Sequence, residues 1–138
     1  MKDYRFETEC IHAGYKAESG QPQVLPIVQN TTYRYYNGED VAKLFDLESA
    51  DFMYSRLGSP TVSALEEKMA KLEGGTAGIA TSAGQAANLI TMLNICQCGD
   101  HIVSSSAIYG GTHNLFNVTL KKMGIETTFV DQDAPMKK

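Results

Sequence analysis

The sequence contains no apolar run long enough to cross a membrane as a helix. Its first residues, Met1-Lys2-Asp3-Tyr4-Arg5-Phe6-Glu7, lack the apolar stretch of a secretory leader, so the cytoplasm is the expected compartment. Basic residues are scattered and the formal net charge is -4, which leaves no stripe for nucleic acid or an anionic membrane. Cysteine is scarce: Cys10, Cys96 and Cys98 form an odd set that does not resemble a disulfide framework, and they read as reduced thiols. His12, His101 and His113 are not spaced as a cluster, so no metal site is expected. Neither a Gly-x-Gly-x-x-Gly turn nor a Gly-Lys-Ser/Thr phosphate loop is present, which weakens an unrelated nucleotide-binding module as a reading. No internal repeat or low-complexity segment competes with a globular fold.

What remains suits one modest globular domain of 138 residues, 43% hydrophobic and 20% charged. It is organised around Thr81-Ser82-Ala83-Gly84-Gln85-Ala86, read as a strand end turning directly into a helix. Thr76 to Ala80 is short, small and mostly apolar, while Ala86, Leu89, Ile90 and Leu93 recur at helical spacing. Gly84 permits a tight turn and close approach of a ligand, and Ser82 can cap the helix or offer a hydroxyl. Free amides and the helix dipole at such a junction favour an anion, a phosphate above all. A capped helix after a buried strand, with no ligand, fits the same residues.

Along the chain, residues 1 to 38 show neither a sustained helical nor an alternating pattern, and prolines and glycines interrupt them repeatedly. This arm nevertheless carries Val24, Leu25, Ile27, Val28, Tyr33, Tyr35 and Tyr36, too much apolar surface for a solvated tail. It packs either on its own domain or across a neighbouring subunit. A short helix is expected from about Glu39 to Asp46, with Val41, Leu44 and Phe45 on one face. Tyr54 and Arg56 stand two apart; in an extended segment they share a face, and a phenol beside a guanidinium suits a phosphate or carboxylate. Taken alone, the pair is read in the first place as a surface tyrosine and a salt-bridged arginine. Ser59 at the cap and Pro60 at the first helical position open a helix to Glu73, with Val62, Leu65, Met69 and Leu72 as its inner stripe and Gly74-Gly75 as its stop.

Cys98-Gly99-Asp100 then turns the chain into a strand, His101 to Ser105, followed by the loop Ala107-Ile108-Tyr109-Gly110-Gly111-Thr112. A further helix is expected from about Thr112 to Met123, with Leu115, Val118 and Met123 inward, and a last strand from Ile125 to Val130. The order strand, helix, strand, helix, strand implies an α/β fold with a mostly parallel sheet. Both glycine- and hydroxyl-rich loops would lie at the carboxyl edge, where ligands gather. One offers amides to an anion and the other an aromatic face, as a flat phosphorylated cofactor requires.

Several motifs in this order resemble one family, the pyridoxal-phosphate enzymes of cysteine and methionine metabolism, and in particular its O-acetylhomoserine sulfhydrylase branch. They are Glu9-Cys10-Ile11-His12-Ala13-Gly14, Pro26-Ile27-Val28-Gln29-Asn30-Thr31-Thr32-Tyr33, Tyr54-Ser55-Arg56 with Ser59-Pro60-Thr61, Leu72-Glu73-Gly74-Gly75, Ser82-Ala83-Gly84-Gln85-Ala86-Ala87, Gly99-Asp100-His101-Ile102-Val103 and Tyr109-Gly110-Gly111-Thr112. The resemblance implies an arm and short helix over residues 1–50, packing on a neighbouring subunit. It also implies the first part of a type I aminotransferase-like, pyridoxal-phosphate-binding domain over 51–138, incomplete as it stands. Ser82 and the amides of Gly84 and Gln85 would hold the cofactor phosphate. Tyr109 would stack on the pyridine ring and help the leaving group as a general acid or base. Tyr54 and Arg56 would reach the phosphate of an adjacent subunit in a dimer of dimers. The implied reaction is a gamma replacement on a small amino-acid substrate, O-acetylhomoserine, by sulfide or a thiol.

Three departures qualify the resemblance. Gly111 occupies the place where methionine gamma-lyases usually carry Cys, which favours a transferase over a C–S lyase. Ser59 stands where Asn is usual before Pro-Thr. The Schiff-base lysine, the acidic partner of the pyridine nitrogen and the arginine for the substrate carboxylate all fall beyond Lys138, and no lysine present has the expected context. The chain is therefore expected to be an N-terminal portion without catalysis of its own. The competing expectations are a non-catalytic remnant or partner-binding paralogue, and cystathionine gamma-synthase or methionine gamma-lyase activity in the full-length enzyme.

Overall fold

The computed structural model describes residues 4–133. The expectations about the extreme amino terminus and the tail after Asp133 fall partly outside these residues. The chain divides into two compact units, one ending at Ala80 and the other beginning at Thr81. No helix among the described residues is long and apolar enough to cross a membrane.

The first unit is built on three helices: α1 (Phe6–His12), α2 (Gly38–Phe45) and α3 (Pro60–Leu72). Helix α1 corrects the expectation of an arm without helix. At 7 residues it is far shorter than the roughly 12–15 needed for an independent helix, so its stability comes from tertiary contacts. Lys68 of α3 supplies them: its ammonium donates to the carbonyls of Cys10 at 3.2 Å and Ile11 at 3.3 Å. This places a cation at the negative end of α1. Lys71 adds an ion pair with Glu9 at 3.6 Å. Gly14, at φ 82°, follows directly; a Cβ there would collide with the carbonyl oxygen of Ala64, so the chain can cross α3 only as glycine.

Helix α2 begins at Asn37, whose side chain accepts from the amide of Asp40 at 2.8 Å. Of its expected inner face Leu44 is buried, whereas Phe45 is exposed. In α3, Pro60 occupies the first turn and Ser59 the cap position, though the Ser59 side chain makes no capping bond. The expected inner stripe of α3 is also corrected: Val62, Leu65 and Met69 are 43–53% exposed, and Ala70 is the buried residue. Between α2 and α3 the chain returns to the arm in an antiparallel bridge of Tyr54 with Thr32, the Tyr33 amide donating to the Met53 carbonyl at 3.2 Å and the Ser55 amide to the Thr31 carbonyl at 2.9 Å. Tyr33 and Phe52 pack ring to ring, and the Tyr35 hydroxyl donates to the Phe52 carbonyl at 2.8 Å.

Thr76 to Ala80 forms no strand, against the sequence expectation. Its bonding explains why. The Ala80 amide donates to the carboxylate of Glu66 at 2.7 Å, and the backbone at Gly78 presses on that of Glu66, where a Cβ would approach the carbonyl oxygen to 2.7 Å. The segment is thus held against α3 at Glu66, and it pairs with no strand among the described residues.

The second unit runs α4 (Gly84–Ile95), β1 (His101–Ser105), α5 (Gly110–Asn114) and β2 (Glu126–Val130). Strands β1 and β2 are parallel, in the register His101↔Glu126 through Ser105↔Val130. The two strands reproduce the expected parallel topology, and the turn at Gly99 (φ 96°) and the stop at Gly124 (φ 79°) lie where the sequence places them. The helix between them departs from the expected face. After Asn114 it widens into a π-helical segment, Leu115–Leu120. Phe116 and Leu120 are consequently buried, while Val118 and Met123 are about 40% exposed. Leu120 and Ile125, 0% and 1% exposed, anchor a core joined by Leu89, Met92, Ile102, Leu115 and Phe129. Full burial of side chains such as Leu120 and Ile125 contributes about 1.5–3 kcal/mol each.

Candidate functional site

Helix α4 starts without a side-chain cap. Its N-cap residue is Ala83, not Ser82, which is exposed in the bend before it; the Thr81 hydroxyl donates to the Ala83 carbonyl at 2.9 Å. The first amide to find a helical acceptor is that of Ala87, which donates to the Ala83 carbonyl at 3.1 Å. The amides of Gly84, Gln85 and Ala86 have no acceptor among the described residues, and they carry the positive end of a 12-residue helix. Around Gly84 there is nothing within 4 Å of where a Cβ would stand. A tetrahedral anion therefore has both donors and room.

Tyr109 is the N-cap residue of α5 and is 75% exposed, with its carbonyl accepting from the amides of Thr112 and His113 at 2.9 Å each. The ring folds back over Gly111: a Cβ at Gly111 would lie 2.6 Å from the Tyr109 Cε1 and 3.0 Å from the Gln85 Nε2. The Tyr109 loop and the start of α4 thus meet. They are joined by the half-buried Thr112 hydroxyl, which accepts from Gln85 Nε2 at 3.1 Å and from Asn88 Nδ2 at 3.0 Å. Sequence reasoning missed Asn88 and this use of Thr112. The available signal was the spacing of Gln85 and Asn88, three residues apart on one helical face.

Tyr54 and Arg56 belong to the first unit. They do not lie in one extended segment, because Tyr54 ends the bridge with Thr32 and Arg56 sits in the turn that follows. They still come together, the guanidinium lying 5.2 Å from the centre of the Tyr54 ring, a cation–π contact at an exposed arginine. Cys10, Cys96 and Cys98 are free thiols.

The fold defines a class before any relative is considered: a parallel α/β unit with an uncapped helix start facing an aromatic loop. Comparison with known proteins sets the family. The pattern of the family described as Cys/Met metabolism PLP-dependent enzyme matches residues 7–137, and the chain belongs to that family. It is 44% identical over 132 residues to a homocysteine/cysteine synthase of Kluyveromyces lactis, covering 94% of this chain and 30% of the relative. It is 45% identical over 127 residues to an O-acetyl-L-homoserine sulfhydrylase of Corynebacterium glutamicum, covering 91% and 29%. A solved structure from Campylobacter jejuni that contains N'-pyridoxyl-lysine-5'-monophosphate superposes with a TM-score of 0.87 at 36% identity, covering 96% of this chain and 32% of that one. The chain thus spans about 30% of the length of the curated relatives it matches. Its fold is part of the type I pyridoxal-phosphate-binding domain, and pyridoxal phosphate is the cofactor of its family. The residues present fit that group, with free amides at Gly84 to Ala86, open space above Gly84, and an exposed aromatic face alongside.

Proposed function

We propose that this chain is the N-terminal portion of a gamma-replacement enzyme that converts O-acetylhomoserine and sulfide, or a thiol, into homocysteine or methionine and acetate. With hydrogen sulfide the exchange balances as homocysteine plus acetic acid: the bond from the gamma carbon to the acetate oxygen breaks, a carbon–sulfur bond forms, and the sulfide proton leaves with acetate. The observation that carries the reading is the junction of the uncapped α4 start with the Tyr109 loop through Thr112. Family membership and the sulfhydrylase relatives support it.

When bound, pyridoxal phosphate supplies an electron sink for the carbons of the amino acid. The chain's own residues bind, orient and handle protons. The amides of Gly84 and Gln85, with Ser82 beside them, hold the phosphate in place of water. The Tyr109 ring offers a face to the flat heterocycle, and its hydroxyl holds or moves a proton near the departing acetate. Tyr54 and Arg56 serve the phosphate of a neighbouring subunit, the arginine adding a charge-assisted bond and the apolar arm lying between subunits. The Schiff-base lysine belongs to polypeptide downstream of Lys138, and the 138-residue chain by itself is inactive.

Borohydride reduction of the protein as purified from its native source, followed by intact-mass analysis, tests this. A pyridoxyl adduct on a polypeptide longer than 138 residues is expected. An unmodified chain of 138 residues, or gamma-replacement turnover by that chain alone, would overturn the proposal.

A further inference from the structure

Thr112 lies where two elements distant in sequence are held at a fixed separation. Its hydroxyl oxygen is the common acceptor for Gln85 and Asn88, both on the first turns of α4, while its amide is bonded to the Tyr109 carbonyl at 2.9 Å. One residue therefore ties the free amides of Gly84 and Gln85 to the aromatic ring of Tyr109. All three side chains in this junction are half-buried, where a lost partner leaves an amide poorly solvated and costs more than the same loss at the surface. Gly111 completes the arrangement, since only the absence of a Cβ lets the Tyr109 ring and the Gln85 amide close over it.

We propose that Thr112 is a positioning residue, with Gln85 and Asn88 as its two donors, that fixes the distance between the phosphate-holding amides of α4 and the ring face of Tyr109. The inference rests on the functional reading above and adds to it a ruler: the site accepts a ligand whose anionic group and planar ring are separated by a set span. The hydroxyl of Thr112 is bonded to the side chains of Gln85 and Asn88, and neither to the first amides of α4 nor to the Tyr109 ring. It acts through the elements it joins, which is why neither helix capping nor ring chemistry reveals it.

The test uses the full polypeptide that carries this chain, with Thr112→Val, Thr112→Ser and Asn88→Ala variants. Valine keeps the shape and removes the acceptor; serine restores it; alanine at 88 leaves one of the two bonds. Three readouts are taken: the dissociation constant for pyridoxal phosphate, the visible circular dichroism of the bound cofactor, and hydrogen exchange of the Tyr109–Thr112 amides. We expect Thr112→Val to weaken binding about tenfold, with altered dichroism and faster exchange, Asn88→Ala to have about a threefold effect, and Thr112→Ser to stay within about twofold of the parent. If Thr112→Val fails to fold, the Asn88→Ala and Thr112→Ser pair decides the matter by the same readouts. Parent-like binding and dichroism in Thr112→Val, or in Asn88→Ala if valine does not fold, would overturn the inference. Failure of the parent to bind pyridoxal phosphate would instead overturn the functional reading. Exchange at Tyr109–Thr112 then decides the junction itself: faster in Asn88→Ala, it stands; unchanged, it falls.

Discussion

Gly111 shows how much one missing carbon can determine. An added Cβ would come 2.6 Å from a ring atom of Tyr109, yet that ring is largely exposed and free to swing aside. The clash is thus relieved by moving the ring and not by breaking the core. Gly111→Ala is expected to leave the stability nearly unchanged, within about 0.5 kcal/mol, while weakening pyridoxal phosphate binding several-fold. Parallel thermal melts and cofactor titrations check this; a large stability loss with normal binding would contradict it. At this scale the sequence shows residue types and not their partners. Tyr109, Gly84 and Gln85 stood out as chemistry-bearing residues, but Ser82 does not cap α4, and the bonding of Asn88 depends on a loop more than twenty positions away. Local spacing carries no information about such a partner.

Among the elements, the arm's pairing with the segment before α3 offers a pH handle. Tyr35 is half-buried and donates its phenol to the Phe52 carbonyl. Desolvation, followed by the negative charges of Asp51 and Asp40 and then by Tyr33, raises its pKa above the ordinary value of 10.0. The neutral form is favoured in the folded state, so this contribution is intact below the unfolded-state value and is lost as pH rises through the folded one. Above about pH 10 the first unit should therefore lose stability, and Tyr35→Phe should flatten that alkaline limb while lowering stability at neutral pH. Denaturation midpoints from pH 8 to 11 check it; identical slopes for parent and variant would refute it. Element existence was otherwise legible where periodicity and punctuation agreed, as in α2, α3, α4, β1 and β2. It failed where tertiary contacts decide. Helix α1 exists through Lys68, and the π-helical segment turns Phe116 and Leu120 inward in place of Val118 and Met123.

At the scale of the whole molecule, apolar residues outnumber the places to put them. Tyr36 and Leu47 are 89% exposed, Ile79 83% and Ile27 79%. Single exposed apolar side chains are ordinary, but surface of this extent invites association. The 138-residue chain at micromolar concentration is expected to bind a hydrophobic dye and to sediment as more than a monomer; a monodisperse, dye-silent monomer would contradict this. The open edges of the β1–β2 pair contribute to the same tendency. Glu66 works against it on the other side of the chain's division. Its carboxylate holds the Ala80 amide, so any strand that would recruit that donor must first win it from a charge. Addition of a strand through the Ala80 amide therefore requires the hydrogen bond to be handed from one acceptor to the next.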